Sequence, residues 1–280
     1  MHITVDQNLI ENYERCGVIC LRQVLTKKQL KILTQGIEYN LQNLSYRAKV
    51  ASVKEDPGLF VEDFCTWEKN PYYKEIIFES QLPQIAAQLM GSQKVRLYHD
   101  HLLVKEPYTQ QITPWHQDQP YYNIEGQQNC SMWIPIDPVS QYSTLEFLAA
   151  SHKGTWYMPR TFKDSQAKWF PEGSLQEIPD IEKDRASFDI RGWEMEPGDI
   201  VCFHMLTLHS SKGVLENRRR RVFSLRFLGD DIVHAPRSWS CSPDFPDLER
   251  EIPAGAAMEH RFFPEISFPV TPSNAEGSPT

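Results

Sequence analysis

Apolar residues recur along this chain with two periods, and the changeover divides it in two. From Thr26 the sequence Thr-Lys-Lys-Gln-Leu places a hydroxyl ahead of a turn and Gln29 at the reciprocal position, and Leu30, Leu33, Ile37 and Leu41 follow at helical spacing. That pattern predicts a helix opened by a capping box. A short helix is expected over 7–14, a strand from Gly17 to Val24, and a second long helix from about Tyr72 to Met90, ended at Gly91 and broken or kinked by Pro83. Beyond Gly91 the period shortens to two. Strands are predicted at Val95 to Lys105, Cys130 to Ile136, Leu145 to Leu148, Trp193 to Met195, Ile200 to Met205 and Arg219 to Leu228, divided by Pro-Gly and Asp-Pro punctuation.

Helices first and strands afterwards predict a mainly β fold with flanking helices, a jelly roll with helices packed outside one sheet. Residues 153–190 interrupt the strands with Trp156, Tyr157, Arg160, Lys163, Trp169 and Phe170. An insertion of that length with aromatic content is expected to be a lid. Residues 1–270 are expected to form a single domain, and the small, polar run 271–280 a disordered tail.

With 40% hydrophobic and 24% charged residues the composition is that of an ordinary globular protein, and no apolar run nears the roughly 18 to 20 residues of a membrane span. The first residues hold neither a basic region nor an apolar signal core, so a cytoplasmic protein is expected. The net charge of -8 argues against nucleic acid as a partner. The six cysteines are scattered and read as reduced, mostly buried thiols.

The candidate chemistry lies at Trp115-His116-Gln117-Asp118. On an extended segment His116 and Asp118 point to one side, because strand side chains alternate. A second imidazole, His209, arriving from another strand would complete the two-His-one-carboxylate face of an Fe(II) oxygenase, which leaves iron positions open. His204 competes for that role, but it shares the face of Ile200 and Cys202 on an apolar strand and reads as structural. His99 reads as a structural or pocket residue, and His152, His234 and His260 have no partner at ligand spacing. Among the arginines 218–221, alternation puts Arg220 with Val222, Ser224 and Arg226 on a small, polar face suited to a cavity. Arg221 falls with Phe223, Leu225 and Phe227 on an apolar face suited to packing under helices. Arg160, Lys163, Arg191 and Arg226 could meet an acidic group, although each reads first as a surface or structural charge.

Lys105-Glu106-Pro107, Trp115 to Asp118, Trp133, Ser151-His152-Lys153-Gly154 and the block from Glu196 through His209, Ser211, Asn217 and Arg220 together resemble the phytanoyl-CoA dioxygenase family, over about residues 10–230. The resemblance implies a double-stranded β-helix of the cupin type holding iron through His116, Asp118 and His209. It implies that Arg220 pairs with the distal carboxylate of 2-oxoglutarate, that Ser211 and Trp133 line that pocket, and that His101 adds a cosubstrate contact. The implied activity is Fe(II)- and 2-oxoglutarate-dependent hydroxylation, or another oxidation, of an unactivated C-H bond in a small molecule, with O2 as the other cosubstrate. A secondary-metabolite intermediate is a candidate substrate. The alternatives are a non-catalytic cupin-like binding or sensor protein and a protein hydroxylase. The chain departs from the family at Ala150, where glycine is usual, and this bears on a turn rather than on the metal ligands.

Overall fold

The computed structural model describes residues 5–52, 55–159 and 175–268. Helix α1 (Gln7–Cys16) begins where the Asp6 carboxylate accepts from the Leu9 N–H at 2.9 Å and ends at Gly17, whose φ is 74°. A Cβ on Gly17 would collide with the His152 ring and the Thr207 hydroxyl, so both the turn and the packing need glycine. Strand β1 (Val18–Leu21) follows, then α2 (Lys27–Gln42), where the Thr26 and Gln29 capping box forms. After β2 (Lys49–Val50) and β3 (Phe60–Phe64), the long helix expected near 72–90 is two helices, α3 (Pro71–Glu79) and α4 (Leu82–Met90). Pro83 sits in the first turn of α4, where the missing N–H costs nothing, so the chain restarts there.

The remaining strands are β4 (Arg96–Lys105), β5 (Thr113–His116), β6 (Ile124–Glu125), β7 (Asn129–Pro135), β8 (Leu145–Leu148), β9 (Ile190–Arg191), β10 (Ile200–Phe203), β11 (His209–Ser211), β12 (Arg220–Leu228) and β13 (Val233–His234), before a last short helix α5 (Leu248–Glu251). The strand expected at 193–195 is not formed; Met195 makes only an isolated bridge to Val139, and the strand edge is taken by β9. Seven strands form one antiparallel sheet in the order β1-β10-β7-β12-β4-β3-β2, and four form a second, β5-β11-β8-β9. The expected mainly β jelly roll is the fold observed, with the helices at one side of the larger sheet.

Alternation along β12 sorts its residues between two environments. Phe223, Leu225 and Phe227 are buried in one cluster with Leu33, Ile37, Tyr73 and Ile76 of the helices. Each such side chain contributes roughly 1.5 to 3 kcal/mol of burial. Val222 packs on the opposite face with Trp133, Phe147 and Phe203, between the two sheets. The site lies on this inner side.

Of the 153–190 insertion, Arg160, Lys163, Trp169 and Phe170 lie outside the described residues, as does the 271–280 tail. In the described part, Ile181 is buried with Trp115 and Leu208, and Tyr157, Ile178 and Phe188 pack around them. Ala150 keeps the left-handed conformation expected of the usual glycine, with φ 64°. Among the described residues no helix is long and apolar enough to cross a membrane.

Candidate active site

Strands β5 and β11 are hydrogen-bonded partners, and His209 lies opposite His116 in their register. Cross-strand neighbours on one face stand close together, which brings the two imidazoles to 4.1 Å between ring centres. Just past the end of β5, Asp118 turns toward both, its Oδ1 lying 3.7 Å from His116 Nε2 and 3.7 Å from His209 Nε2. One ligand atom from each of the three lies within 4.8 Å of the other two, and all three residues are buried.

The far side of each ring fixes its tautomer. His116 Nδ1 lies 2.8 Å from the Pro114 carbonyl and His209 Nδ1 lies 2.9 Å from the Thr207 carbonyl. A carbonyl only accepts, so both Nδ1 atoms carry the proton and both Nε2 lone pairs face the shared point. Burial, with His209 next to it, draws His116 down to about 3, and burial likewise lowers His209, so both rings are neutral donors at neutral pH. Burial would raise Asp118, but Arg226, His209 and His116 outweigh it and hold the carboxyl below its ordinary value. Two neutral imidazoles and one carboxylate form a donor set that fits a divalent first-row metal. His204, the rival, is tied instead to the Gln127 carbonyl at 3.0 Å and accepts from Leu206 N–H at 3.1 Å.

A cavity of about 350 Å3 opens from this point between the sheets. At one end Arg220 is buried on the inner face of β12, with its guanidinium 5.6 Å over the Trp133 ring and Nη2 3.4 Å from Ser211 Oγ. Among the described residues it forms no ion pair with a carboxylate, its Nε has no hydrogen-bond partner, and burial pulls it down to about 10. Lys105, opposite Arg220 in the β4 register, brings a second buried cation, with Nζ 3.3 Å from the same Ser211 hydroxyl. Burial and then Arg220 hold that ammonium well below its ordinary value. Arg220 also donates to the Ser143 carbonyl and Lys105 to the Gln111 and Lys212 carbonyls at 2.7 and 3.0 Å, but among the described residues neither meets a carboxylate within ion-pair distance, and the arrangement fits a carboxylate ligand. Arg221 points the other way, to Asp137 at 2.6 Å and Glu38 at 2.7 Å.

His101 lines the cavity, stacked on Phe64 at 3.9 Å with Nε2 3.2 Å from Glu62 Oε1. Its polar partner on the protein is thus a carboxylate. Four further residues at or near the cavity were not singled out as site residues from sequence: Lys105, Glu62, Gln117 and, as a partner of Asp118, Arg226. Lys105 ends a predicted strand, whereas Glu62 stands on β3, which the sequence did not predict; for Gln117 the signal was only its place between His116 and Asp118. Gln117 Nε2 donates to the Thr155 and Leu206 carbonyls at 3.1 and 2.8 Å, and its Oε1 accepts from Tyr157 N–H at 2.8 Å. The residue between His116 and Asp118 therefore fastens the start of the insertion to the segment that carries them.

Known proteins share the chain's sequence pattern and its fold. The sequence pattern of the phytanoyl-CoA dioxygenase (PhyH) family matches residues 13–222. A probable phytanoyl-CoA dioxygenase of Caenorhabditis elegans is 23% identical over 241 residues, covering 79% of this chain and 74% of the relative. Among solved structures, the α-ketoglutarate-dependent carbocyclase SnoK from nogalamycin biosynthesis superposes with a TM-score of 0.72 at 18% identity, covering 94% of this chain and 96% of that one. The epimerase SnoN in complex with Fe3+, α-ketoglutarate and nogalamycin RO gives 0.72 at 17% identity, covering 92% and 97%. EctD from S. alaskensis with 2-oxoglutarate and 5-hydroxyectoine gives 0.66 at 14% identity, covering 90% and 85%. The match to the family spans most of the chain, and the chain belongs to the phytanoyl-CoA dioxygenase family of Fe(II)- and 2-oxoglutarate-dependent dioxygenases.

Proposed function

We propose that His116, Asp118 and His209 hold one Fe(II) ion, and that Arg220, Lys105 and Ser211 receive the distal carboxylate of 2-oxoglutarate beside Trp133. The reaction is the oxidation, by default the hydroxylation, of an unactivated C-H bond in a small molecule. The observation that carries this reading is the pairing of two poles in one cavity: a convergent His-His-Asp cluster and a buried guanidinium that pairs with no carboxylate among the described residues. When bound, iron with 2-oxoglutarate and O2 supplies the power to break the C-H bond, and 2-oxoglutarate leaves as succinate and carbon dioxide.

The protein's own part is binding, orientation and exclusion of water. The carbonyls of Pro114 and Thr207 keep the two rings in the metal-binding tautomer. Arg220 and Lys105 fix one end of the diacid, so that its other end is carried toward Asp118 and the histidines. Phe60, Phe64, Leu103 and Tyr121 give the rest of the cavity apolar walls, which suits an enclosed small substrate. A secondary-metabolite intermediate is favoured by the likeness to SnoK and SnoN. Gln117 ties the described start of the 153–190 insertion, at Thr155 and Tyr157, to the metal segment, which supports a lid role for that insertion. The six unpaired cysteines suit a reducing compartment such as the cytoplasm.

The test is spectroscopic. Fe(II) and 2-oxoglutarate added under argon should give a visible charge-transfer band that His116→Ala and His209→Ala each abolish. A band that survives both substitutions removes the ligand assignment, and a wild type without any band removes the reading as a whole.

A further inference from the structure

The sequence offers Arg226 only as a cation on the cavity face of β12. Its structural surroundings give it a more specific task. Arg226 lies between Ser131 of β7 and His99 of β4 in the sheet register. Its Nε is 3.0 Å from Asp118 Oδ2, and the Ser131 hydroxyl donates to the same oxygen at 3.1 Å. The rest of the guanidinium reaches Ser224 Oγ and the Tyr122 hydroxyl. Asp118 is the one carboxylate that pairs with it among the described residues. The two oxygens of Asp118 thus have separate surroundings: Oδ1 faces the two histidine Nε2 atoms, while Oδ2 faces a cation and a hydroxyl.

A carboxylate beside a divalent ion can ligate through one oxygen or through both. Both would use a coordination position that the reaction needs vacant. Turning Oδ2 toward the metal would strip the buried guanidinium of its charge partner, and breaking one side of a buried pair is strongly unfavourable. Resting on the proposed metal site, we infer that Arg226 is a positioning residue that keeps Asp118 a one-oxygen ligand and so holds a coordination position open. Outer groups of this kind influence affinity as well as geometry.

The test uses Co(II) alone, whose visible absorption reports coordination number, with no cosubstrate or turnover. Arg226→Met removes charge and donors at similar volume; Arg226→Lys keeps the charge. Arg226→Met should bind Co(II) about 10- to 100-fold more weakly, with a visible spectrum changed in shape and a narrowed splitting of the carboxylate stretches in the metal-minus-apo infrared difference. Arg226→Lys should recover most of both. Wild-type affinity and wild-type spectra in folded Arg226→Met would overturn the inference. If thermal melting shows that Arg226→Met does not fold, Arg226→Gln, which still donates but is uncharged, decides by the same two readouts. A wild type that binds no Co(II), or binds it unchanged after His116→Ala, would instead defeat the metal-site reading itself.

Discussion

Arg220 and Arg221 are chain neighbours with opposite surroundings. Arg220 faces a hydroxyl, a backbone carbonyl, a ring and the Lys105 amine, whereas Arg221 has two carboxylates, Asp137 and Glu38. The pair at Arg221 draws its guanidinium above its ordinary value, chiefly through Asp137, but it is partly exposed and contributes little to binding in the cavity. Arg220→Ala should therefore weaken 2-oxoglutarate binding by roughly 2 to 5 kcal/mol, while Arg221→Ala leaves it within about 0.5 kcal/mol, as for a residue outside the site. Titration calorimetry on both variants reads this directly. A larger loss for Arg221→Ala would mean that the cosubstrate lies elsewhere.

Gly17, at the junction of α1 and β1, shows how elements far apart in the chain depend on one another. Its carbonyl accepts from His204 N–H at 2.9 Å and from Thr207 Oγ1 at 2.8 Å, and the stretch so held leads directly into β11 and His209. Gly17→Ala must either move that stretch or open the helix end. The expected loss of stability is about 2 to 4 kcal/mol, combining left-handed strain with overpacking. Urea unfolding measures it, and a metal titration on the same variant should show weaker binding, since Thr207 also fixes the His209 tautomer. Unchanged stability would show that the contact is slack. Element by element, the sequence carried the local information well. The Thr26 capping box, the stop at Gly91 and the alternation of β12 all follow from neighbours in the chain. His116 and Asp118 do converge, but not by the strand alternation expected: β5 ends at His116 and Asp118 takes a helical conformation, so a turn past the strand brings its carboxylate round. The roles of Lys105, Glu62 and Arg226 depend on which strand lies beside which, and no local period encodes that. The same reason accounts for Trp193 to Met195, read as a strand where Met195 makes only a bridge.

At the scale of the whole molecule, buried neutral histidines make the fold sensitive to acid. His204 is the clearest case away from the proposed metal: burial, with His152 as neighbour at 5.2 Å between ring centres, lowers it to about 3, against the opposing effect of the Gln127 carbonyl. The ring stays neutral in the folded chain but takes a proton near pH 6.5 in the unfolded one. Its contribution is therefore present above pH 6.5 and is lost as pH falls from there toward 3. Between pH 6.5 and 5 the loss is roughly 2 kcal/mol for this one proton. His204→Asn keeps an acceptor for Leu206 N–H and cannot titrate, so its unfolding free energy should fall less steeply over that interval. Equal slopes for the two proteins would assign the acid sensitivity to other groups.

Arg220 and Arg226 stand on one face of one strand, and β12 is hydrogen-bonded along both edges, to β4 and to β7. At about 3.3 Å per residue the strand sets the two guanidinium-bearing backbones roughly 20 Å apart, and neither can slide without dragging two ladders with it. β12 is in this sense a gauge. In the proposed site one jaw would grip the Asp118 side of the metal and the other the far end of a diacid, and the gap between them is set by the sheet rather than by a loop. A gauge rejects by length. Oxaloacetate, one methylene shorter than 2-oxoglutarate, and 2-oxoadipate, one longer, should each compete for the site about 10- to 200-fold more weakly, the discrimination one methylene allows. Competition against the charge-transfer band would measure this, and parity among the three acids would mean that the jaws are free to move.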